Sequence, residues 1–119
     1  MNTRFVMPLV LVAGFAAGAG HALADPAARP DRNCYEDIGC PWKVVAPLAT
    51  LRKLSCQALA HVRNHTYYEN FYCFHSAAAV SAYGNTDCKY HETGRVPLNT
   101  SERQTLAHIR QVEDEKGCH

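Results

Sequence analysis

SCQALAHVRNHTYYENFYCF, residues 55–74, is the stretch that decides how this chain folds. Ser55 is typical of a helix N-cap, because its hydroxyl can accept hydrogen bonds from the free amides of the first turn. Leu54 and Leu59 occupy the two positions of a hydrophobic staple around it. Residues at three- and four-residue spacing then predict a buried stripe: Ala58, Leu59, Val62 and Thr66. Five aromatic side chains among residues 67–74 follow, and their apolar area is large enough to dominate a small core.

Shorter signals predict further helices on both sides of this stretch. Leucines at 48, 51 and 54 have the spacing of a short helix after Pro47. Residues 76–83 predict another short helix that ends at Gly84, followed by a polar loop over 86–96. Asn99 with Glu102 forms a capping-box pattern for a last helix that ends at Gly117. The fold class is therefore mainly α, a small disulfide-stapled domain of about three helices with irregular loops.

The beginning of the chain has the pattern of an export signal. Arg4 precedes an apolar segment, and Ala22-Leu23-Ala24 is a small-x-small cleavage site, so residues 1–24 are predicted to be a signal peptide removed after Ala24. Residues 25–33 are rich in Pro, Ala and alternating charge, which predicts a disordered linker. No later stretch has the roughly 20 apolar residues that cross a bilayer. Without Arg4, 11 basic residues balance 11 acidic ones, so nucleic acid is not an expected partner.

All six cysteines follow the predicted cleavage site, and an even number in a small exported chain predicts three disulfides. Six thiols allow 15 pairings. Adjacency in sequence favours Cys34–Cys40 and Cys73–Cys88, which leaves Cys56–Cys118, a bridge that requires the first and last main helices to be antiparallel. There is no Cys-x2-Cys spacing of a zinc knuckle or a haem attachment site, and no cofactor is expected.

Two groups within the main helix could carry chemistry. Arg63 and Asn64 are expected to hold the backbone of the 86–96 loop or of the 71–74 segment, and ligand binding is the alternative. His61, His65 and Glu69 recur every four residues, which is a spacing that can bind zinc or copper, although a solvated helix face is the default interpretation. No nucleophile elbow, HExxH helix or phosphate loop is present, so no catalytic residue is predicted.

The order of several residues along the chain resembles that of a known domain family. Residues 51–118 resemble the YARHG domain, a small extracytoplasmic bacterial module, through Leu54-Ser55, Leu59, Arg63-Asn64, Tyr67, Tyr72, Phe74, Tyr83-Gly84 and Pro97-Leu98. The cysteines resemble a disulfide-bearing branch of that family, with residues 34–50 as a disulfide-closed loop region before the domain. Phe71 stands where the namesake motif has Gly, so Asn70 is expected to adopt the left-handed conformation instead.

The resemblance implies a fold and a location but no reaction. We therefore expect a periplasmic or secreted module of the bacterial envelope that has a binding or structural role and is not an enzyme. Its partner would be an envelope protein or a cell-wall component. Two alternatives remain at this point: a small periplasmic enzyme such as a cell-wall hydrolase, and a metal-binding protein that uses His61, His65 and Glu69.

Overall fold

The computed structural model describes residues 28–29 and 32–119, and the predicted signal peptide lies outside them. Within these residues there are four α-helices and a 3-10 turn. The helices are α1 (Leu48–Leu51), α2 (Cys56–Glu69), α3 (Ala77–Tyr83) and α4 (Thr100–Lys116), with the 3-10 turn at Thr93–Arg95. The mainly helical, disulfide-containing fold that the sequence predicts is thereby confirmed. None of the helices in the described part of the chain is both long and apolar enough to cross a bilayer.

Local signals determine where the helices begin and end. Ser55 Oγ accepts a hydrogen bond from the Ala58 amide at 3.1 Å and so caps α2. Asn99 and Glu102 form a reciprocal capping box at the start of α4, with bonds of 2.9 and 3.0 Å. Gly117 ends α4 in the left-handed conformation, with φ of 66°. These three predictions are confirmed.

The core lies where α2 and α1 pack against α4. Apolar residues at helical spacing on these three elements are fully buried, and residues from the connecting segments close the core around them. Its largest contributors are Leu51, Leu59, Val62, Leu106, Ile109 and Val112, with Tyr67, Phe74, Val96 and Leu98 beside them. The predicted stripe of α2 thus meets the buried face of α4 in the interior, except that Ala58 is only half-buried.

Three disulfides tie this small core together. Cys34–Cys40 closes the loop before α1, Cys73–Cys88 joins the segment after α2 to the loop after α3, and Cys56–Cys118 joins the start of α2 to the end of α4. These are the pairs that adjacency and helix order predict. Because Cys56 begins α2 and Cys118 follows α4, the bridge holds these two helices in antiparallel contact.

The residue after α2 departs from expectation. Asn70 has φ of −103°, whereas Phe71 has φ of 64°, so Phe71 itself takes the left-handed conformation and the prediction for Asn70 is wrong. A non-glycine residue in this region costs about 1–2 kcal/mol. The Phe71 carbonyl accepts from the amides of Lys89 and Tyr90, at 2.8 and 3.1 Å, so long-range pairing holds the backbone in this turn. Asn70 instead directs its buried side chain to Glu102 on α4.

Residues 28–29 and 32–33 form what we call the N-terminal arm, and they contact the end of α2. The Arg29 amide donates to the Glu69 carbonyl at 2.8 Å, and the Arg29 guanidinium donates to the carbonyls of Tyr68 and Thr86 at 3.0 Å each. The Asn33 amide donates to Glu69 Oε1 at 2.7 Å. The structure thus places Arg29 and Asn33 against the end of α2, whereas the disordered linker predicted for residues 25–33 stays a prediction.

Candidate binding groove

A groove of about 550 Å³ opens between α2, α4 and the segment that follows α2. We call it the α2–α4 groove. All five residues that carry the motif of the main helix and its exit line it: Arg63, Asn64, Tyr67, Tyr72 and Phe74. The other lining residues are His75, Ser76, Ala79, Thr93, Arg110, Glu113, Asp114 and Cys118. The motif thus converges on one concave surface.

Aromatic rings form the inner wall of the groove. Tyr67 and Phe74 are buried, and the half-buried Tyr72 packs against both, with ring centroids 5.3 and 5.0 Å away. Burial raises the pKa of the Tyr67 hydroxyl, although the nearby Arg110 cation acts in the opposite direction. The hydroxyl therefore remains neutral at physiological pH and accepts a 2.5 Å hydrogen bond from Arg110 Nη2.

Arg63 joins the two helices across the groove rather than holding a loop. Its guanidinium forms an ion pair with Glu113 on α4, and Nε donates to Asn64 Oδ1 at 3.3 Å. Among the described residues, neither side chain makes a hydrogen bond to the backbone of the 86–96 loop or of the 71–74 segment, so the structure does not show the loop-holding role predicted for Arg63 and Asn64. Asn85 holds the backbone of the 71–74 segment instead. Its Oδ1 accepts from the Phe74 amide at 2.8 Å, and its Nδ2 donates to the Phe74 carbonyl at 3.0 Å.

The opposite wall presents charges from α4. Arg110 and Asp114 are exposed and lie four residues apart on one helical face, and both line the groove. Within residues 28–29 and 32–119 they form no ion pair with each other, since Arg110 turns to the Tyr67 hydroxyl. The Asp114 carboxylate makes no hydrogen bond or ion pair to any described residue. A cation and an anion therefore face the groove without neutralising each other.

A second groove lies on the other side of Asn64. It has a volume of about 580 Å³ and runs between α2 and α3 along small residues such as Ala58, Ala78 and Ala82. Asn64, Ser76 and Ala79 line both grooves and form the wall between them. Asn64 is thus half-buried and has open space on two sides.

The three residues of the predicted metal alternative do not converge. His65 Nδ1 lies 2.9 Å from Glu69 Oε1, and these side chains are only 15% and 4% exposed, so the predicted solvated face is wrong for both. The N-terminal arm covers them, with Asn33 Nδ2 3.1 Å from His65 Nε2. His61 is exposed, and its Nδ1 lies 3.3 Å from the Tyr83 hydroxyl. Among the described residues, no three His, Cys, Asp or Glu side chains are placed to hold a metal ion.

The family model of the YARHG domain matches residues 43–114, more than half of the chain. The chain belongs to the YARHG family. No curated protein and no solved structure matches it. The YARHG match begins eight residues before the boundary predicted at residue 51 and includes every residue of the α2–α4 groove except Cys118.

Sequence reasoning missed the half of the groove that comes from α4. Arg110 and Asp114 lie on the polar side of an amphipathic helix, where charged residues are ordinary, and Glu113 is a charged residue on the buried side, which apolar periodicity does not reveal. The one feature of the local sequence that draws attention to these residues is the four-residue spacing of Arg110 and Asp114. An Arg and an Asp four residues apart normally suggest a pair within the helix.

Proposed function

We propose that this YARHG domain is an exported binding module of the bacterial envelope, periplasmic or secreted after cleavage at Ala24, and that the α2–α4 groove is its ligand site. Family membership and three disulfides support a location outside the cytoplasm. The observation that carries the proposal is that the five motif residues line one groove.

Asn64 favours binding over a structural role. The only hydrogen bond of its side chain within the described residues is the 3.3 Å contact with Arg63, made by Oδ1, and Nδ2 donates to none of them. Groove space lies on both sides of this side chain. An amide with free donors in a concave site is the kind of group that orients a ligand.

The test compares Asn64→Ala with Gln104→Ala, which shortens an exposed amide side chain of α4 outside the groove. Untagged wild-type and variant proteins are incubated with purified peptidoglycan sacculi, and in parallel with immobilised envelope proteins, and the bound fraction is measured over a concentration series. Binding to sacculi identifies a wall module, and saturable binding to a protein identifies a protein-partner module.

We expect Asn64→Ala to weaken binding several-fold, because a hydrogen bond to a ligand contributes about 0.5–1.5 kcal/mol, and to melt close to the wild type. Gln104→Ala should change neither property. If instead the wild type bound neither fraction, and Asn64→Ala lost about 1–3 kcal/mol of unfolding free energy, the motif would be structural and the proposal would be wrong.

A further inference from the structure

The charges on the α4 wall of the groove have a defined arrangement. Arg63 and Glu113 neutralise each other across the groove, whereas Arg110 and Asp114 remain separate. Residues four apart on a helix have Cβ atoms about 5–6 Å from each other. The groove therefore presents one open cation and one open anion at a short, fixed separation.

Arg110 retains binding capacity despite its bond to Tyr67. A guanidinium has five N–H donors in a planar fork, and within the described residues Arg110 uses only Nη2. The hydroxyl of Tyr67 is a neutral partner, so it fixes the side chain without cancelling its charge. Such a group is suited to receive a carboxylate through paired hydrogen bonds.

From these observations we infer that the groove, if it is the ligand site proposed above, binds a short zwitterionic peptide, with its free carboxylate at Arg110 and its free ammonium at Asp114. Two residues of extended chain span at most about 7 Å, which suits charges presented one helical turn apart. Tyr72 and Ala79 supply apolar contacts for the side chains of such a peptide. The volume of about 550 Å³ is ample for two or three residues.

A neutral sugar fits this surface less well. Tyr67 and Phe74 are buried, and the Phe74 ring stacks on Tyr83 with centroids 5.1 Å apart, so neither ring offers an open face. A sugar would also leave the Arg110 and Asp114 charges without partners. Charge complementarity therefore selects the zwitterion.

Calorimetric titration of the oxidised mature protein with L-alanyl-L-alanine tests the inference. Two blocked analogues, N-acetylated and C-terminally amidated, each lack one of the two charges. Because hydrogen bonds to charged groups contribute more than neutral ones, each block should weaken binding at least about tenfold. Equal affinity for all three compounds, or binding of none of them, would overturn the inference.

Two variants connect each charge of the peptide to its residue. In Arg110→Gln the preference for the free carboxylate over the amide should disappear, while the preference for the free amine stays. In Asp114→Asn the opposite should hold. Arg95→Gln and Glu115→Gln are the matched controls, since these exposed residues lie outside the groove, and both should keep the wild-type preferences. A variant that lost affinity for all compounds equally, with an unchanged melt, would contradict the assignment of that residue.

A free ammonium and a free carboxylate occur together in two kinds of ligand, and a titration with muropeptides distinguishes between them. Muropeptides released from sacculi carry a free amine and carboxylate on a diamino acid, whereas free oligopeptides carry them at the chain ends. Preference for muropeptides assigns the wall as source, and preference for L-dipeptides assigns free peptides. Wild-type protein that binds sacculi or an envelope protein in an Asn64-dependent way, but shows no preference for free ends, would refute this inference and leave the proposed function standing.

Discussion

Replacing Asn70 with alanine should destabilise the domain because Asn70 links the end of α2 to the start of α4. Asn70 and Glu102 are both 0% exposed. Asn70 Nδ2 donates to the Thr66 carbonyl and to Glu102 Oε2, each at 2.8 Å. The other carboxylate oxygen of Glu102 already accepts from the Asn99 amide in the capping box. Alanine at 70 thus leaves half of a buried carboxylate without its donor.

The magnitude follows from these contacts. Loss of the bond to the carboxylate costs about 1.5–3 kcal/mol and loss of the bond to the carbonyl about 0.5–1.5 kcal/mol. Asn70 Oδ1 is buried without a hydrogen-bond partner among the described residues, so its removal returns about 1 kcal/mol. The net expected loss is about 1–3.5 kcal/mol of unfolding free energy, which corresponds to roughly 4–28 °C in Tm for a domain of this size.

Urea unfolding followed by far-ultraviolet circular dichroism measures this loss with the disulfides intact. Asn64→Ala is the matched control, because it removes the same amide group from the interior of α2, where the side chain is half-buried and makes one long hydrogen bond. We expect the control to stay within about 0.5 kcal/mol of the wild type. If Asn70→Ala also fell within that range, Glu102 would not depend on Asn70 and the reasoning would be refuted.

Three further outcomes are expected. Phe71→Gly should be more stable than Phe71→Ala by about 1 kcal/mol in the same urea assay, since only glycine is free of strain at φ of 64°, and equal stabilities would argue against strain at this position. Complete reduction should abolish the helical dichroism at moderate temperature, since the chain-entropy model assigns about 4 kcal/mol to Cys56–Cys118 and about 3 kcal/mol to the 15-residue separation of Cys73–Cys88; a reduced protein with an unchanged melt would contradict this. Hydrogen bonds from Arg52, and then from Gln111, lower the pKa of Glu115 from 4.5 to about 2, so this carboxylate stabilises the fold above about pH 4.5 and loses that effect as the pH falls towards 2. Glu115→Gln should remove this contribution to the acid dependence of stability. Salt should weaken the contribution in the wild type, because the Arg52–Glu115 pair is exposed. Identical acid titrations of variant and wild type would contradict the prediction.

The helix boundaries could be predicted because their signals are local. Ser55, Asn99 and Gly117 act on amides and carbonyls within a turn of themselves, so a few adjacent residues contain the whole interaction. For the left-handed turn the local signal is the Gly of the family motif, which aligns with Phe71, but a phenylalanine at that position favoured Asn70 instead. The left-handed backbone of Phe71 is held by the amides of Lys89 and Tyr90, which approach only after the chain has folded back.

The residues of the candidate groove likewise divide into those that a local motif identifies and those that only long-range contacts bring together. The resemblance to the YARHG motif identified Arg63, Asn64, Tyr67, Tyr72 and Phe74, and these residues do share a surface. The partners of these residues could not be predicted from the sequence, because the residue that Arg63 pairs with lies 50 positions away on α4. His65 was misplaced for a related reason. Helical periodicity put it on a polar face, and in the folded chain the N-terminal arm and Tyr83 of α3 cover that face.

The bond between Cys56 and Cys118 also has a mechanical consequence. Every residue of the α2–α4 groove lies between these two cysteines or is one of them, so the groove is enclosed in a covalent ring. Tension applied to the chain on either side of the ring passes directly from one sulfur to the other and does not stretch the enclosed backbone. Under oxidising conditions, single-molecule pulling should extend only the residues outside the ring. A module of this design can serve as a link in a chain under force while its groove keeps its shape.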